Sequence, residues 1–157
     1  MRKRIGIVFL MLITASFWIT PLHEAAHQLA GIIAGGTPEG IDLWFQWSLL
    51  VGETHNSLFG TGGMGELFVI AGPILFLYIP ATVGLLVWRK KRGFLSLFPA
   101  LLVGQGGLYT GFGLVKSYGD SWEMVQIGVP VFIISIAAAI GLITGAVGIR
   151  KYVKGEE

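Results

Sequence analysis

Long apolar stretches, separated by short polar connections, make up most of the chain. Four of them stand out, at residues 5–34, 67–88, 94–115 and 125–149. Each is long enough to cross a hydrocarbon core of about 30 Å, because an α-helix rises about 1.5 Å per residue. The pattern predicts an all-α integral membrane protein, with about four transmembrane helices in a single transmembrane domain over residues 1–157.

The connection between the first and second stretches follows a different pattern. From Gly36 to Gly65, aromatic residues alternate with others around Trp44 and Trp47, and glycines interrupt the segment. Alternation with a period of two is typical of a β-strand, and glycine favours turns. We therefore expect a membrane-associated β-hairpin between the first two transmembrane helices.

Glycines on the third stretch predict close packing of helices. Gly104, Gly107 and Gly111 fall near one face of that helix. Small residues let neighbouring backbones approach each other in membrane proteins. We expect another helix to pack against this face.

Composition agrees with a bilayer environment and limits the metal chemistry. Of the 157 residues, 54% are hydrophobic and 13% are charged, which leaves too little polar surface to cover a water-soluble globule. Cysteine is absent, which excludes disulfides and thiolate ligands. Any bound metal must be held by His, Asp or Glu.

Basic residues predict the orientation of the chain. They gather in three clusters, at residues 2–4, 89–92 and 150–154. With four spans, these clusters fall on one side of the membrane, which the positive-inside rule makes cytoplasmic. Both termini are then cytoplasmic in this multi-pass protein, and the formal net charge of +2 requires no nucleic-acid partner.

The first apolar stretch allows more than one interpretation. Its basic start resembles a secretory signal peptide, but the apolar pattern continues past Pro21 to Ala34, and no small-residue cleavage site precedes Phe17. We expect a retained helix kinked at Pro21, because proline lacks the N–H that would bond to the carbonyl of Phe17. A break at Thr20-Pro21, with Thr20 capping a new helix, is the alternative.

The run His23-Glu24-Ala25-Ala26-His27 lies within this stretch. The two histidines, here termed the histidine pair, are four residues apart. A helix presents them on nearly the same face, about 6 Å apart along its axis, so they can share one metal ion. Glu24 lies about 100° around the helix from His23, where it can act as the base for a water beside the ion. These are the parts of a zinc hydrolase.

A packing role is the plainer alternative for these residues. The histidines would then be interior residues hydrogen-bonded to neighbours, with Glu24 paired to one of them. An ionisable group deep in a bilayer is costly unless it is paired or hydrated, and this run contains three such groups. Metal ligation in a hydrated pocket offsets that cost, so we favour a metal site.

The order of these features resembles the site-2 protease family of intramembrane zinc metallopeptidases. That family has a membrane helix bearing the histidine pair, then a glycine pair, a Gly-Pro motif on a later helix, and a distant aspartate. This chain has the same features in the same order, at His23 to His27, Gly35-Gly36, Ala71-Gly72-Pro73 and Gly119-Asp120. The resemblance implies a metallopeptidase-like domain that holds Zn²⁺ through His23, His27 and Asp120. It also implies that Glu24 is the catalytic base.

Two positions depart from the family pattern. Phe76 stands where an asparagine commonly follows the Gly-Pro motif, and Ser121 follows Asp120 where glycine is usual. In the family, that asparagine stabilises the transition state. Its role does not transfer to this chain.

The predicted topology also favours Asp120 as a third ligand. Catalytic zinc typically has three protein ligands, and the aspartates of the chain are Asp42 and Asp120. Asp120 follows the third stretch, on the same predicted side of the membrane as the end of the first stretch, which carries the histidine pair. His55 and Glu123 are competing ligands. The alternative role of Asp120 is to accept backbone N–H bonds in its turn or to cap the last helix.

Together these features predict an intramembrane zinc metalloprotease. Its substrates would be membrane-anchored proteins or peptides, and the lipid bilayer would surround it. Two other classes fit the same residues: a zinc hydrolase acting on a lipid or amide within the membrane, and a non-enzymatic membrane protein that binds a metal or a partner.

Overall fold

The computed structural model describes residues 2–46, 49–87 and 94–155, and it is mostly helical. The described elements, in chain order, are α1 (Arg2–Ile13), α2 (Ala15–Ile33), β1 (Pro38–Gln46), β2 (Leu49–Asn56), α3 (Met64–Ile70), a π-helical turn (Ile74–Tyr78), α4 (Ile79–Val87), α5 (Phe94–Lys116), α6 (Asp120–Gln126) and α7 (Val131–Lys154). Trp47 and the basic cluster at residues 89–92 lie outside the described residues.

Helix length and composition agree with the predicted class of protein. Two described segments, Ser96–Lys116 in α5 and Val131–Lys154 in α7, are each long and apolar enough to cross a membrane. The number rises to four if α1 with α2, and α3 with the helical segment that follows it, each form one interrupted span. Two to four helices of the described chain are therefore capable of spanning a bilayer.

The prediction of one helix for the first apolar stretch is wrong, because the stretch is interrupted near Thr14, whereas a kink at Pro21 stays a prediction. α1 and α2 are separated at Thr14, which is the N-cap of α2, whereas α2 continues through Pro21. The alternative break at Thr20-Pro21 is wrong. The Thr20 hydroxyl donates to the backbone oxygen of Leu50 in β2, at 3.0 Å, so it stabilises a contact with the hairpin.

The last apolar stretch begins its long helix later than predicted. Residues up to Gln126 belong to α6, and α7 begins at Val131. Between them, Gly128 has φ +102° and Pro130 is the N-cap of α7. A positive φ takes the backbone out of the helical region, and proline at a helix start replaces an N–H that has no helical partner. The predicted span at residues 125–149 is therefore wrong at its start.

Two compact units make up the chain, and one of them comprises α1 and the helices from α4 onward. The pairing of α5 with α7 forms its core. A Cβ on Gly145 would overlap the Cα of Gly104, and a Cβ on Gly107 would lie 2.5 Å from the backbone of α7. No side chain fits at these positions. The predicted close approach of another backbone is confirmed at Gly104 and Gly107. A Cβ on Gly104 itself, or on Gly111, would make an ordinary contact, at 3.5 Å and 3.8 Å respectively.

The second unit, Thr14–Leu77, is termed the α2 unit and contains α2, the hairpin and α3. β1 and β2 pair as antiparallel strands, with a register irregularity between Pro38 and Gly40. The predicted β-hairpin after the first helical stretch is confirmed.

The glycine pair ends α2. The N–H of Gly36 donates to the oxygen of Gly31 at 2.9 Å, and the N–H of Gly35 donates to that of Ile32 at 3.1 Å. Gly35 has φ +85°, which an L side chain rarely adopts. Together these features form a Schellman motif, which satisfies the last carbonyls of the helix and directs the chain toward β1.

Candidate metal centre

α2 contacts the hairpin and α3 through different faces. The hairpin face carries residues that recur about one turn apart, namely Thr20, Glu24, Gln28 and Gly31. The α3 face carries Ala26, His27 and Ala30. The run that contains the histidine pair therefore lies where both neighbours cover the helix. His23, Glu24 and His27 are only 7%, 6% and 4% exposed.

The two imidazoles lie side by side on α2, as their spacing predicts. Their ring centroids are 4.9 Å apart, with the planes inclined at 81°. A nitrogen of one ring lies within 4.8 Å of a nitrogen of the other. Zinc–nitrogen bonds are about 2.0–2.1 Å long, so nitrogens this close together are near the separation that one shared ion requires.

The proton of His27 is assigned by a backbone contact. Its Nδ1 donates to the oxygen of Val69, at 2.7 Å, in a buried hydrogen bond. A carbonyl oxygen can only accept, so Nδ1 carries the proton, and the lone pair of the neutral ring is on Nε2. Histidines that bind metals typically have such a partner on the second nitrogen, because it fixes the tautomer and the orientation of the ring.

Pro73 removes one hydrogen-bond donor from the Val69 carbonyl. In an α-helix, the oxygen of residue 69 accepts from the N–H of residue 73. Proline has no N–H, so the helical partner of that carbonyl is missing. A backbone N–H at the end of α3 still bonds to this oxygen, whose second lone pair can accept from His27. The Gly-Pro motif thereby leaves one lone pair of this oxygen for His27.

Gly72 brings α3 close enough for that hydrogen bond. A Cβ at Gly72 would lie 2.6 Å from the oxygen of Ala26 and 3.0 Å from the Cβ of Ala30. The contact with the Ala26 oxygen is shorter than a side chain tolerates, and the contact with Ala30 is tight, so only glycine packs here without a shift of α2 or α3. In the Gly-Pro motif, Gly72 thus allows α3 to approach α2 closely, and Pro73 removes a competing donor from the Val69 carbonyl.

Glu24 is held on the opposite side, by β2. The hydroxyl of Thr54 lies 2.6 Å from Glu24 Oε2 and 3.1 Å from the backbone oxygen of Glu24. Gly52 lies on the same face of β2, and a Cβ there would be 2.5 Å from Glu24 Cγ. The Glu24 side chain therefore packs directly on the backbone of β2 at Gly52, and one of its carboxylate oxygens is hydrogen-bonded to Thr54.

Gln28 fixes the hairpin to α2 one turn further along. Its Nε2 donates to the oxygen of Gly40 at 2.5 Å and to that of His55 at 2.9 Å, so one amide joins both strands. The bond from Thr20 to Leu50 is the matching contact toward the other end of the hairpin. Glu24 lies between these two anchors.

The competing ligand His55 lies on the outer face of the hairpin. Successive residues of a strand point to opposite faces, and its neighbour Thr54 contacts Glu24. The Nε2 of His55 is 3.0 Å from Asp42 Oδ2, and the Asp42 side chain is largely exposed while that of His55 is partly exposed. His55 therefore does not join the histidine pair.

The other predicted residues lie in the described chain as follows. Asp120 is the half-buried first residue of α6, in the unit that contains α5 and α7, and Glu123 follows it in the same helix. The N-cap positions of α6 and α7 are Gly119 and Pro130, so Asp120 caps neither helix. Ligation by Asp120, or by Glu123 in its place, stays a prediction.

Phe76 makes an aromatic contact, in keeping with the loss of the family's asparagine. It lies in the π-helical turn, and its ring meets that of Phe68 with centroids 6.0 Å apart and planes at 80°. No polar role transfers to this position.

The α2 unit offers two imidazole donors of the kind that divalent metals such as zinc take, one of them oriented by a carbonyl. The buried Glu24 carboxylate beside them is placed to act on a bound water and is not needed as a donor. Sequence reasoning missed the contributions of Thr54, Gln28 and Val69. A signal was present in β2, where small or polar residues, Gly52, Thr54 and Asn56, occupy every second position.

No family model, curated protein or solved structure matches the chain, so the evidence for a function is the chemistry of the site itself.

Proposed function

We propose that the protein is an intramembrane zinc metalloprotease, as the resemblance to the site-2 protease family implies, and that it hydrolyses peptide bonds of membrane-anchored proteins or peptides. One observation carries the proposal: in the buried run from His23 to His27, an imidazole and the carboxylate each have a partner that orients them. A mere packing role would not require both groups to be oriented beside a second imidazole.

In this proposal, His23, His27 and Asp120 hold Zn²⁺. The bound ion would act as a Lewis acid, polarising a water and the scissile carbonyl. The histidine pair contributes neutral nitrogen donors from one helix, and Asp120 contributes the charged donor. The resulting set of three protein ligands is the one typical of catalytic zinc.

Glu24 carries the proton in the proposed reaction. Its carboxylate takes a proton from water as the water oxygen bonds to the carbonyl carbon. It then gives that proton to the nitrogen of the leaving amine as the carbon–nitrogen bond breaks. The products are a carboxylic acid and an amine, and Glu24 returns to its starting state.

Two polar atoms near this site support the presence of water. Gln28 Oε1 and Asn56 Nδ2 are buried, and no hydrogen-bond partner for either is found among the described residues. Ordered water commonly satisfies such groups. Both residues belong to the contact between α2 and the hairpin, which also contains Glu24.

Substrates must present an extended segment. A helical segment holds its carbonyls in backbone hydrogen bonds, so it has to unwind before hydrolysis. Each strand of the two-stranded hairpin retains one edge that is not paired within the hairpin. Pairing with such an edge would hold an unwound substrate in the extended form.

Zinc content and peptide cleavage, measured on the same purified protein, test the proposal. We expect about one zinc per chain in the wild type and cleavage of a membrane-anchored peptide. Asp120→Ala should lower zinc affinity by more than about 100-fold, since loss of an orienting partner alone costs 10- to 100-fold. Asp42→Ala, which removes an exposed aspartate from the hairpin, is the control.

The outcomes separate the candidate functions. A wild type without zinc, or with zinc but without hydrolytic activity, would contradict an enzyme. Hydrolysis of a lipid or a simple amide, with membrane peptides left intact, would contradict the protease assignment. Zinc affinity that is unchanged in Asp120→Ala would remove Asp120 from the ligand set.

Pro73→Ala tests the role of the Gly-Pro motif. The substitution restores an N–H that competes with His27 Nδ1 for the Val69 carbonyl. We expect zinc affinity to fall by about 10- to 100-fold, as measured by competition with a zinc chelator. Pro99→Ala, which replaces a proline inside α5, is the control and should leave the affinity unchanged. An unchanged affinity in Pro73→Ala would contradict the assignment.

A further inference from the structure

We infer that Thr54 is a positioning residue for Glu24, so that β2 sets the orientation of the base. The inference rests on the proposed function, because it assigns a role within the same site. It makes the hairpin a part of the catalytic machinery as well as a surface for substrate.

The contact between Thr54 and Glu24 is short and shielded from solvent. The Thr54 hydroxyl lies 2.6 Å from Glu24 Oε2, and the two residues are 8% and 6% exposed. A hydroxyl has one hydrogen to donate, and the nearer acceptor is the carboxylate oxygen. A bond from a hydroxyl to an ionised carboxylate is about twice as strong as one between neutral groups.

The backbone of β2 at Gly52 restricts the same side chain of Glu24. A Cβ at this position would lie 2.5 Å from Glu24 Cγ and 3.0 Å from both Cδ and Oε1. The side chain of Glu24 therefore occupies the space that any residue larger than glycine would take. Thr54 engages one carboxylate oxygen, and the strand backbone at Gly52 limits the movement of the rest.

The two carboxylate oxygens consequently have different roles. Oε2 is occupied by the Thr54 hydroxyl, which leaves Oε1 to take the proton from water. Without that hydroxyl, the carboxylate can rotate about its last bond into orientations in which neither oxygen faces the water. Because proton transfer requires the base within hydrogen-bond distance of the reacting group, this freedom lowers the rate.

The anchors on either side of Thr54 make the inference testable. Thr20 and Gln28 bond to backbone oxygens of the hairpin, so the strand stays on α2 when the Thr54 hydroxyl is removed. Valine matches threonine in shape and favours a strand equally well. Thr54→Val thus removes one hydrogen bond and little else.

The test compares Thr54→Val with Thr54→Ser, which retains the hydroxyl. With a membrane-anchored peptide as substrate, we expect Thr54→Val to lower kcat by about 10- to 100-fold, with KM and zinc content close to those of the wild type. Thr54→Ser should recover most of the lost rate. Thr61→Val is the control, since the Thr61 hydroxyl bonds to the oxygen of Leu58 in the loop after the hairpin.

A second measurement does not depend on activity. In zinc-free protein, the infrared carboxylate band of Glu24 is the band that Glu24→Gln removes. We expect this band to shift in Thr54→Val and to return toward its wild-type position in Thr54→Ser. The band reports the hydrogen bond itself, even in a protein that cleaves no peptide.

Failure of the inference is distinguishable from failure of the proposed function. An active wild type whose kcat is unchanged in Thr54→Val would overturn the positioning role, and so would a serine variant as impaired as the valine variant. A Glu24 band that does not move in Thr54→Val would overturn it whether or not the wild type is active. Absence of zinc and cleavage in the wild type would overturn the proposed function, and the infrared shift would then decide the contact between Thr54 and Glu24.

Discussion

Glu24→Gln is expected to abolish peptide hydrolysis while zinc remains bound. Glutamine has nearly the same shape as glutamate, and its amide oxygen can still accept a hydrogen bond from the Thr54 hydroxyl. The α2 unit should therefore fold normally. The amide cannot take a proton from water, and general base catalysis typically contributes about 100- to 10,000-fold. We therefore expect a rate loss of that size, measured as cleavage of a membrane-anchored peptide in single-turnover conditions.

The matched control for this prediction is Glu53→Gln. Glu53 is exposed and lies next to Thr54 on β2, so it points to the other face of the hairpin. It should retain wild-type activity and zinc. Undiminished cleavage in Glu24→Gln would remove Glu24 from the mechanism, whereas simultaneous loss of zinc would place Glu24 among the ligands.

The apolar pattern of the sequence predicts helices better than it predicts where they are interrupted. Length and hydropathy suffice for α5 and α7, since both are continuous apolar runs. Thr14 is harder to anticipate, because neither proline nor glycine marks the interruption. Gly128 and Pro130 do mark the start of α7, but the apolar residues around them continue the hydropathy of the span and conceal the boundary.

The candidate site divides in a similar way between local and long-range features. The side-by-side placement of the histidine pair follows from a spacing within one helix, so sequence alone anticipates it. The contact between Thr54 and Glu24 depends on the register of a hairpin and on how that hairpin packs against α2. A slip of one residue would place Glu53 or His55 on that face instead. The alternation of Gly52, Thr54 and Asn56 marks one face of β2, but no local pattern in the sequence shows that this face packs against α2.

The Gly-Pro motif shows how a weak sequence signal can have a strong structural basis. In a chain with 24 glycines, a Gly-Pro dipeptide carries little information by itself. Its effect becomes apparent only when Gly72 is found against Ala26 and the Val69 carbonyl is found against His27. The segment from His23 to His27 is thus contacted on two sides. The hairpin orients the Glu24 carboxylate, and α3 orients the His27 imidazole.

His27→Ala should eliminate zinc binding and, with it, cleavage. The substitution removes a proposed ligand and leaves the Val69 oxygen buried without its imidazole partner. Because loss of an orienting partner alone costs about 10- to 100-fold in metal affinity, loss of the ligand should cost more. We expect zinc in the purified variant to fall to background, as measured by elemental analysis.

His55→Ala is the matched control, because His55 is a histidine of the same unit that pairs with Asp42 on the outer face of the hairpin. It should retain zinc and activity. Thermal unfolding of zinc-free wild type and zinc-free His27→Ala separates ligation from stability, since neither sample then benefits from bound metal. Zinc retained by His27→Ala, or lost equally from His55→Ala, would contradict a site built on the histidine pair.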